Sequence, residues 1–213
     1  MPKIAIVGTH GGGKTTLGRL LATHLSFDLI TERVRQTAKA LGYGTPRDVP
    51  DDDRPLFQWA SLMSQVSAED RNESFVSDRS TVDYAAYWTL LINPCRDDYQ
   101  DYRTLARIFA RRYDALILVP APVRAEEDGA RFTHMVHETD VTMRGLLEEW
   151  ELHGKVIEVL TDGPENRLQE VIAALKERGI IDPFDGDPGN EFGASRLGVP
   201  LRTQPRPPAG YRE

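Results

Sequence analysis

"GTHGGGKT", running from Gly8 to Thr15, sets four glycines beside a lysine near the start of the chain. Glycine tolerates positive φ and lets backbone N–H groups converge on an oxygen-rich ligand with no side chain in the way. Before it, "KIAIVG" (Lys3–Gly8) is short, apolar and rich in β-branched residues, which predicts a buried strand. After it, "KTTLGRLLATHL" puts Leu17, Leu20, Leu21 and Leu25 on one helix face. A glycine loop of pattern G-x-x-x-x-G-K-[ST] between a strand and a helix is a cradle for a nucleoside triphosphate. The helix N-terminus adds its partial positive charge at the same place. Gly8, Gly11, Gly12, Gly13, Lys14, Thr15 and Thr16 are therefore the candidate phosphate contacts. Lys14 suits the β- and γ-phosphates, and the Thr15 hydroxyl suits Mg²⁺. His10 reads as a tolerated loop residue.

Downstream, the chain alternates strand and helix signals. "FDLIT" (27–31), "SFVSD" (74–78), "DALILVP" (114–120) and "KVIEVL" (155–160) read as further strands. Helices are expected from 32 to about Leu41, from Asp53 onward, over "TVDYAAYWTLLI", over 98–112, over 139–153 and over 165–178. Asp53 is placed to cap its helix, with Pro55 in the first turn. This alternation predicts an α/β fold, a five-stranded parallel sheet with helices on both faces, in one domain over residues 1–181. Prolines and glycines crowd residues 182–213, so an irregular arm is expected there. It can drape over the domain, reach a second copy of the chain or extend as a tail.

Composition narrows the classes. Of the 213 residues, 40% are hydrophobic and 28% charged, ordinary values for a globular protein. The net charge of −7 argues against a nucleic-acid-coating surface. The one cysteine, Cys95, excludes an internal disulfide framework and reads as a small, partly buried residue. No apolar run has the length of a membrane span and no signal-peptide pattern opens the chain, so a cytoplasmic location is expected.

Three stretches bear on the reaction. Asp78 ends the third strand, beside the glycine loop, where a carboxylate can hold Mg²⁺ and Arg79 can meet phosphate or acceptor. Glu32 follows the second strand and is either a general base or a helix-start acid. "VRAEEDGARFTH" (123–134) offers Arg124 and Arg131 on a glycine-containing loop, suited to a lid that closes on the transferred group. Tyr84, Tyr87 and Trp88 can stack on a base, or fill the core. "HMVHE" lacks the i, i+4 histidine spacing of a zinc hydrolase helix. No N-K-x-D segment specifies guanine, and a hexameric motor would need a longer chain with a helical lid domain. A small phosphotransferase is the leading class. A nucleotide-driven switch acting on a partner, or a kinase of nucleic-acid ends, stands behind it.

"GTHGGGKTTL", "ITERVRQTAKALG", "SDRSTVDYAAYW" and "YDALILVPAP…EDGAR" occur in that order, and together they resemble NadR-like P-loop domains, small AAA-like ATPase and kinase domains. The resemblance covers about Lys3 to Leu175. It implies strand order 2-3-1-4-5, ATP with Mg²⁺, and an acceptor held between the helices that follow the second and third strands. By position, Gly8, Gly13, Lys14 and Thr15 match the triphosphate and metal site, Asp78 and Arg79 the D-R pair, and Arg131 the lid arginine. Asp83 stands near where the similar segment of thymidylate kinases carries serine. A carboxylate there would repel a monophosphate, so a neutral nucleoside-like acceptor is expected, its hydroxyl oriented by Glu32 or Asp83.

Overall fold

The structure is a computed structural model that describes residues 1–121 and 135–183. In chain order the elements are β1 (Lys3–Val7), α1 (Lys14–Leu25), β2 (Asp28–Ile30), α2 (Val34–Ala40), α3 (Arg54–Glu69) and β3 (Phe75–Asp78). They continue with α4 (Thr81–Leu91), α5 (Tyr99–Ala110), β4 (Ala115–Leu118), α6 (Val136–Glu149), β5 (Val156–Glu158) and α7 (Pro164–Glu177). The strands form one parallel sheet in the order β2-β3-β1-β4-β5. This is the α/β arrangement expected from the strand and helix pattern, with the strand order that the resemblance implied.

β1 is apolar along its length because neighbours enclose it on both edges and both faces. Ala5 and Val7 face one core with α3, α4, α5 and α6, while Ile4 and Ile6 face the other with α1 and α7. That alternation is the two-residue period of a strand expressed in a fully buried position. In the first core Trp88 stacks on Tyr102, centroids 4.0 Å apart, and Trp59 meets Tyr102 edge-on. Trp88 is wholly buried and Tyr84 nearly so, and both belong to the core, so Tyr87 is the most open of the three aromatics offered for base stacking.

Helix ends follow local chemistry. Ser80 caps α4 in a capping box with Asp83, which satisfies first-turn N–H groups that have no helical partner. Pro164 opens α7 and Pro55 sits in the first turn of α3, positions where a missing N–H costs nothing. Asp53 stands at the N-cap of α3 without capping it: its carboxylate accepts from the Tyr43 hydroxyl at 2.5 Å instead. α6 stops at Glu149, short of the expected His153, because Glu151 adopts φ 58° and the chain turns into β5. Cys95 is exposed, not partly buried, since it lies in the α4–α5 turn. Among the described residues no helix is long and apolar enough to cross a membrane. Arg124, Arg131, His134 and the arm beyond Pro183 lie outside the described residues.

Candidate active site

Adjacent parallel strands bring the candidate residues to one edge of the sheet. β1 ends at Val7 and leads into Gly8, and β3 ends at Asp78, paired with Ile6 of β1. Gly8 has φ 151°, and a Cβ there would stand 2.7 Å from the Val119 carbonyl oxygen, so the loop leaves the sheet where no side chain fits. Gly13, φ 88°, is the N-cap of α1 and provides no side-chain cap. The first N–H groups of α1 therefore face the loop's concavity with their dipole, which suits an anion.

Lys14 is buried beneath the loop, and its ammonium donates to the Thr9 carbonyl at 2.7 Å. Burial, aided by Arg79, pulls its pKa down from 10.5 to about 8, against the opposing pull of Asp83, Asp78 and Glu32. The Thr15 hydroxyl donates to Asp78 at 2.6 Å. A hydroxyl and a buried carboxylate so close, at the mouth of a glycine cradle, form a hard oxygen pair of the kind Mg²⁺ takes alongside phosphate. The residues present thus fit both a triphosphate and its metal.

Arg79 follows Asp78 and is almost wholly buried, with φ 126°, a left-handed value unusual for a residue with a side chain. Its guanidinium bonds Glu32 at 3.0 Å, lies 3.9 Å from Asp83 and 3.3 Å from the His10 ring nitrogen, and sits over the Tyr87 ring. Burial works against its charge, yet Glu32, Tyr87 and Asp83 together hold its pKa above the ordinary guanidinium value.

Two carboxylates were candidates to meet an acceptor. Asp83 is fully buried, one oxygen accepting from the backbone and hydroxyl of Ser80 at 2.9 Å, the other from the Gly8 N–H at 3.3 Å. Burial raises its pKa, while Lys14, Arg79 and Ser80 lower it. It fastens α4 to the glycine loop and lines neither compartment of the cleft. Glu32 keeps 24% of its side chain exposed and opens onto the cleft.

The cleft has two compartments. One is the phosphate pocket between the loop, Asp78 and Arg79. The other lies among α2, α3 and α4, with Val34, Phe57, Tyr84, Tyr87 and Leu91 on its apolar walls and Arg35 and Arg54 among its polar groups. His10, Glu32 and Arg79 line both. The loop histidine thus sits at the junction, its ring 5.7 Å from Tyr87, where sequence reading gave it no part. Arg54 was not singled out either; nothing in its local pattern separates a pocket arginine from a solvated helix-start residue. Arg167 of α7 is a third such residue: it donates to the Gly12 carbonyl at 2.6 Å and to Thr161 at 3.0 Å, tying the last helix to the loop.

Comparison with known proteins bears on the fold. A family model described as an AAA domain matches residues 3–167. No curated protein matches the chain. Among solved structures, NadR protein in complex with NAD and AMP-PNP has a TM-score of 0.62 at 21% identity, over 83% of this chain and 49% of that one. The chain thus spans about half the length of that protein. Deoxyadenosine kinase from M. mycoides with bound dCTP gives 0.55 at 18% identity, over 82% and 99%. Shikimate kinase from Acinetobacter baumannii in complex with shikimate gives 0.54 at 16%, over 84% and 94%. The shared feature is a kinase-type P-loop fold.

Proposed function

This chain belongs to the AAA domain family, and we propose that it is a phosphotransferase that moves the γ-phosphoryl group of ATP, with Mg²⁺, to a hydroxyl of a small nucleoside- or nucleotide-like acceptor. The observation that carries this reading is the junction. The phosphate cradle and an apolar compartment adjoin, and Glu32, Arg79 and His10 belong to the walls of both.

The roles follow from position. The amides from Gly11 to Thr16 and the Lys14 ammonium hold the triphosphate and draw charge from the β- and γ-phosphates as the bond between them weakens. Thr15 and Asp78 would hold Mg²⁺, which supplies further charge neutralisation on the phosphates when bound. Glu32 accepts the proton of the acceptor hydroxyl as its oxygen bonds to the γ-phosphorus, and the β–γ bridging oxygen leaves with ADP. Arg79 balances the negative charge between the two compartments. Arg131 is assigned the closing arginine on the strength of the resemblance. Tyr84 and Tyr87 provide the aromatic wall for a base or ring. The polar lining of the acceptor compartment includes Arg35, Arg54 and Arg79 against Glu32, so an acceptor that carries an anionic group is accommodated.

The test is ADP production from Mg²⁺-ATP with a panel of nucleosides, nucleoside monophosphates, hydroxy acids and 5′-hydroxyl oligonucleotides, with Lys14→Ala as control. Turnover dependent on one acceptor class and absent in the control supports a kinase and names its substrate. Hydrolysis independent of every acceptor would overturn the proposal in favour of a nucleotide-driven switch.

A further inference from the structure

Behind the cleft, under β3, lies a buried polar chain of which only Tyr84 reaches the acceptor wall. Gln65, Glu69, Ser77, Tyr84 and Tyr113 are each at most 2% exposed. Glu69 accepts at one oxygen from the Gln65 amide at 2.9 Å and from the Tyr113 hydroxyl at 2.8 Å. Gln65 spends its second N–H on the Ser77 hydroxyl oxygen, 2.7 Å away, and its carbonyl accepts from the Tyr84 hydroxyl at 3.1 Å. The Ser77 oxygen lies 2.8 Å from the Arg79 carbonyl and 3.3 Å from Glu69. A hydroxyl has one proton, and the shorter contact assigns it to Arg79.

From this geometry we infer that Ser77, oriented by Gln65 and Glu69, is a positioning residue that holds Arg79 in its strained backbone conformation and, through the same glutamine, fixes Tyr84 on the acceptor wall. The inference rests on the phosphotransfer reading for its kinetic consequences, though not for its structural ones. A φ of 126° at a residue with a Cβ persists only where its surroundings impose it. Here the imposition is specific: the residue before Asp78 reaches past it to the carbonyl of Arg79. The amide of Gln65 cannot flip, because its N–H groups face acceptors on Glu69 and Ser77 and its oxygen faces the Tyr84 donor. One side chain thereby couples Arg79, at the junction of both compartments, to Tyr84, on the wall of one. Neither Ser77 nor Gln65 lines either compartment, so any effect of theirs on turnover must travel through the residues they hold.

Ser77→Ala removes one hydroxyl and leaves the strand intact. The expected result is a kcat lowered about 10- to 100-fold, the cost of a misplaced transfer group, with KM for ATP within about twofold of wild type. Tyr84→Phe, which cuts the other end, should raise KM for the acceptor more than it lowers kcat. The second readout is the Arg79 Nε–Hε signal in ¹H–¹⁵N spectra, assigned by its loss in Arg79→Lys. It should shift or broaden in Ser77→Ala and stay in place in Ile157→Val, a core variant on β5. An unchanged Arg79 signal in Ser77→Ala, or an equal fall of kcat in Ile157→Val, would overturn the inference. If wild type has no acceptor-dependent turnover, the phosphotransfer reading fails, and the Arg79 signal still decides the positioning role.

Discussion

Lys14 offers a measurement of what a phosphate site costs the fold before any ligand arrives. The residue is 7% exposed, and burial lowers its pKa from 10.5 to about 8. An unfolded chain keeps this proton up to 10.5, whereas the folded chain has released it by about 8. Between the two values the unfolded state binds more protons, so raising the pH favours folding. The interval is 2.5 pH units, which at ~1.36 kcal/mol each amounts to about 3 kcal/mol. Subtracting the stability of Lys14→Met from that of wild type removes every other titrating group the two proteins share. The difference should be flat below pH 8 and climb by about 3 kcal/mol from there to 10.5. Guanidinium unfolding of nucleotide-free protein at half-unit pH steps measures it. In melting temperature the climb is roughly 6–12 °C for a chain of this length. A saturating non-hydrolysable ATP analogue should abolish the climb, because phosphate oxygens stabilise the charged ammonium. A difference that stays flat from pH 7 to 10.5 would refute the reasoning, for it would mean that Lys14 is solvated and the loop is not closed over it.

Two glycines should respond in opposite directions. Gly8→Ala forces a Cβ to 2.7 Å from the Val119 oxygen at φ 151° and should cost about 3 kcal/mol or more, read as lost soluble protein or a collapsed unfolding midpoint. Gly145→Ala lies on the exposed side of α6 with nothing within 4 Å and should stabilise by about 1 kcal/mol in the same assay. Glu32→Gln should lower acceptor-dependent turnover by about 100-fold or more while calorimetry finds the ATP-analogue affinity little changed. Arg54→Gln should raise KM about tenfold for an anionic acceptor and leave a neutral one unaffected, since a charge-assisted hydrogen bond is lost only to the former.

The fold was legible because its signals are local. Strands buried on both faces leave apolar runs, and the phosphate loop leaves glycines where the backbone takes φ 151°, 78° and 88°. Asp78 was placed correctly at a strand end because a strand's last residue is also a local feature. What escaped depends on residues distant in sequence. Arg167 reaches Gly12 from the far end of the domain, and Arg54 enters the acceptor compartment only once α3 packs on α2. Cys95 was expected to be partly buried on residue type alone, and the turn between α4 and α5 exposes it. Asp53 has the right identity and position for a cap, but Tyr43, ten residues earlier, takes its carboxylate.

Asp83 carries the most instructive difference. As a letter beside Tyr84 it is a carboxylate near the acceptor, and a carboxylate repels phosphate. In the fold it lies beneath the site, held by Ser80 and by the Gly8 N–H, between Lys14 and Arg79. Its charge is spent on fastening α4 to the loop, and the same contact fixes where Arg79 emerges. On the proposed reading an acceptor would instead meet Glu32 and the arginines around it. Such a site would discriminate by charge at the side of the cleft away from the loop, where Arg35 and Arg54 lie outside the phosphate pocket, and would transfer the proton at the junction, where Glu32 lines both compartments. On that same reading, recognition falls to the helices α2 and α3 and chemistry to the ends of the strands β2 and β3, so acceptor preference could change without disturbing the phosphate machinery.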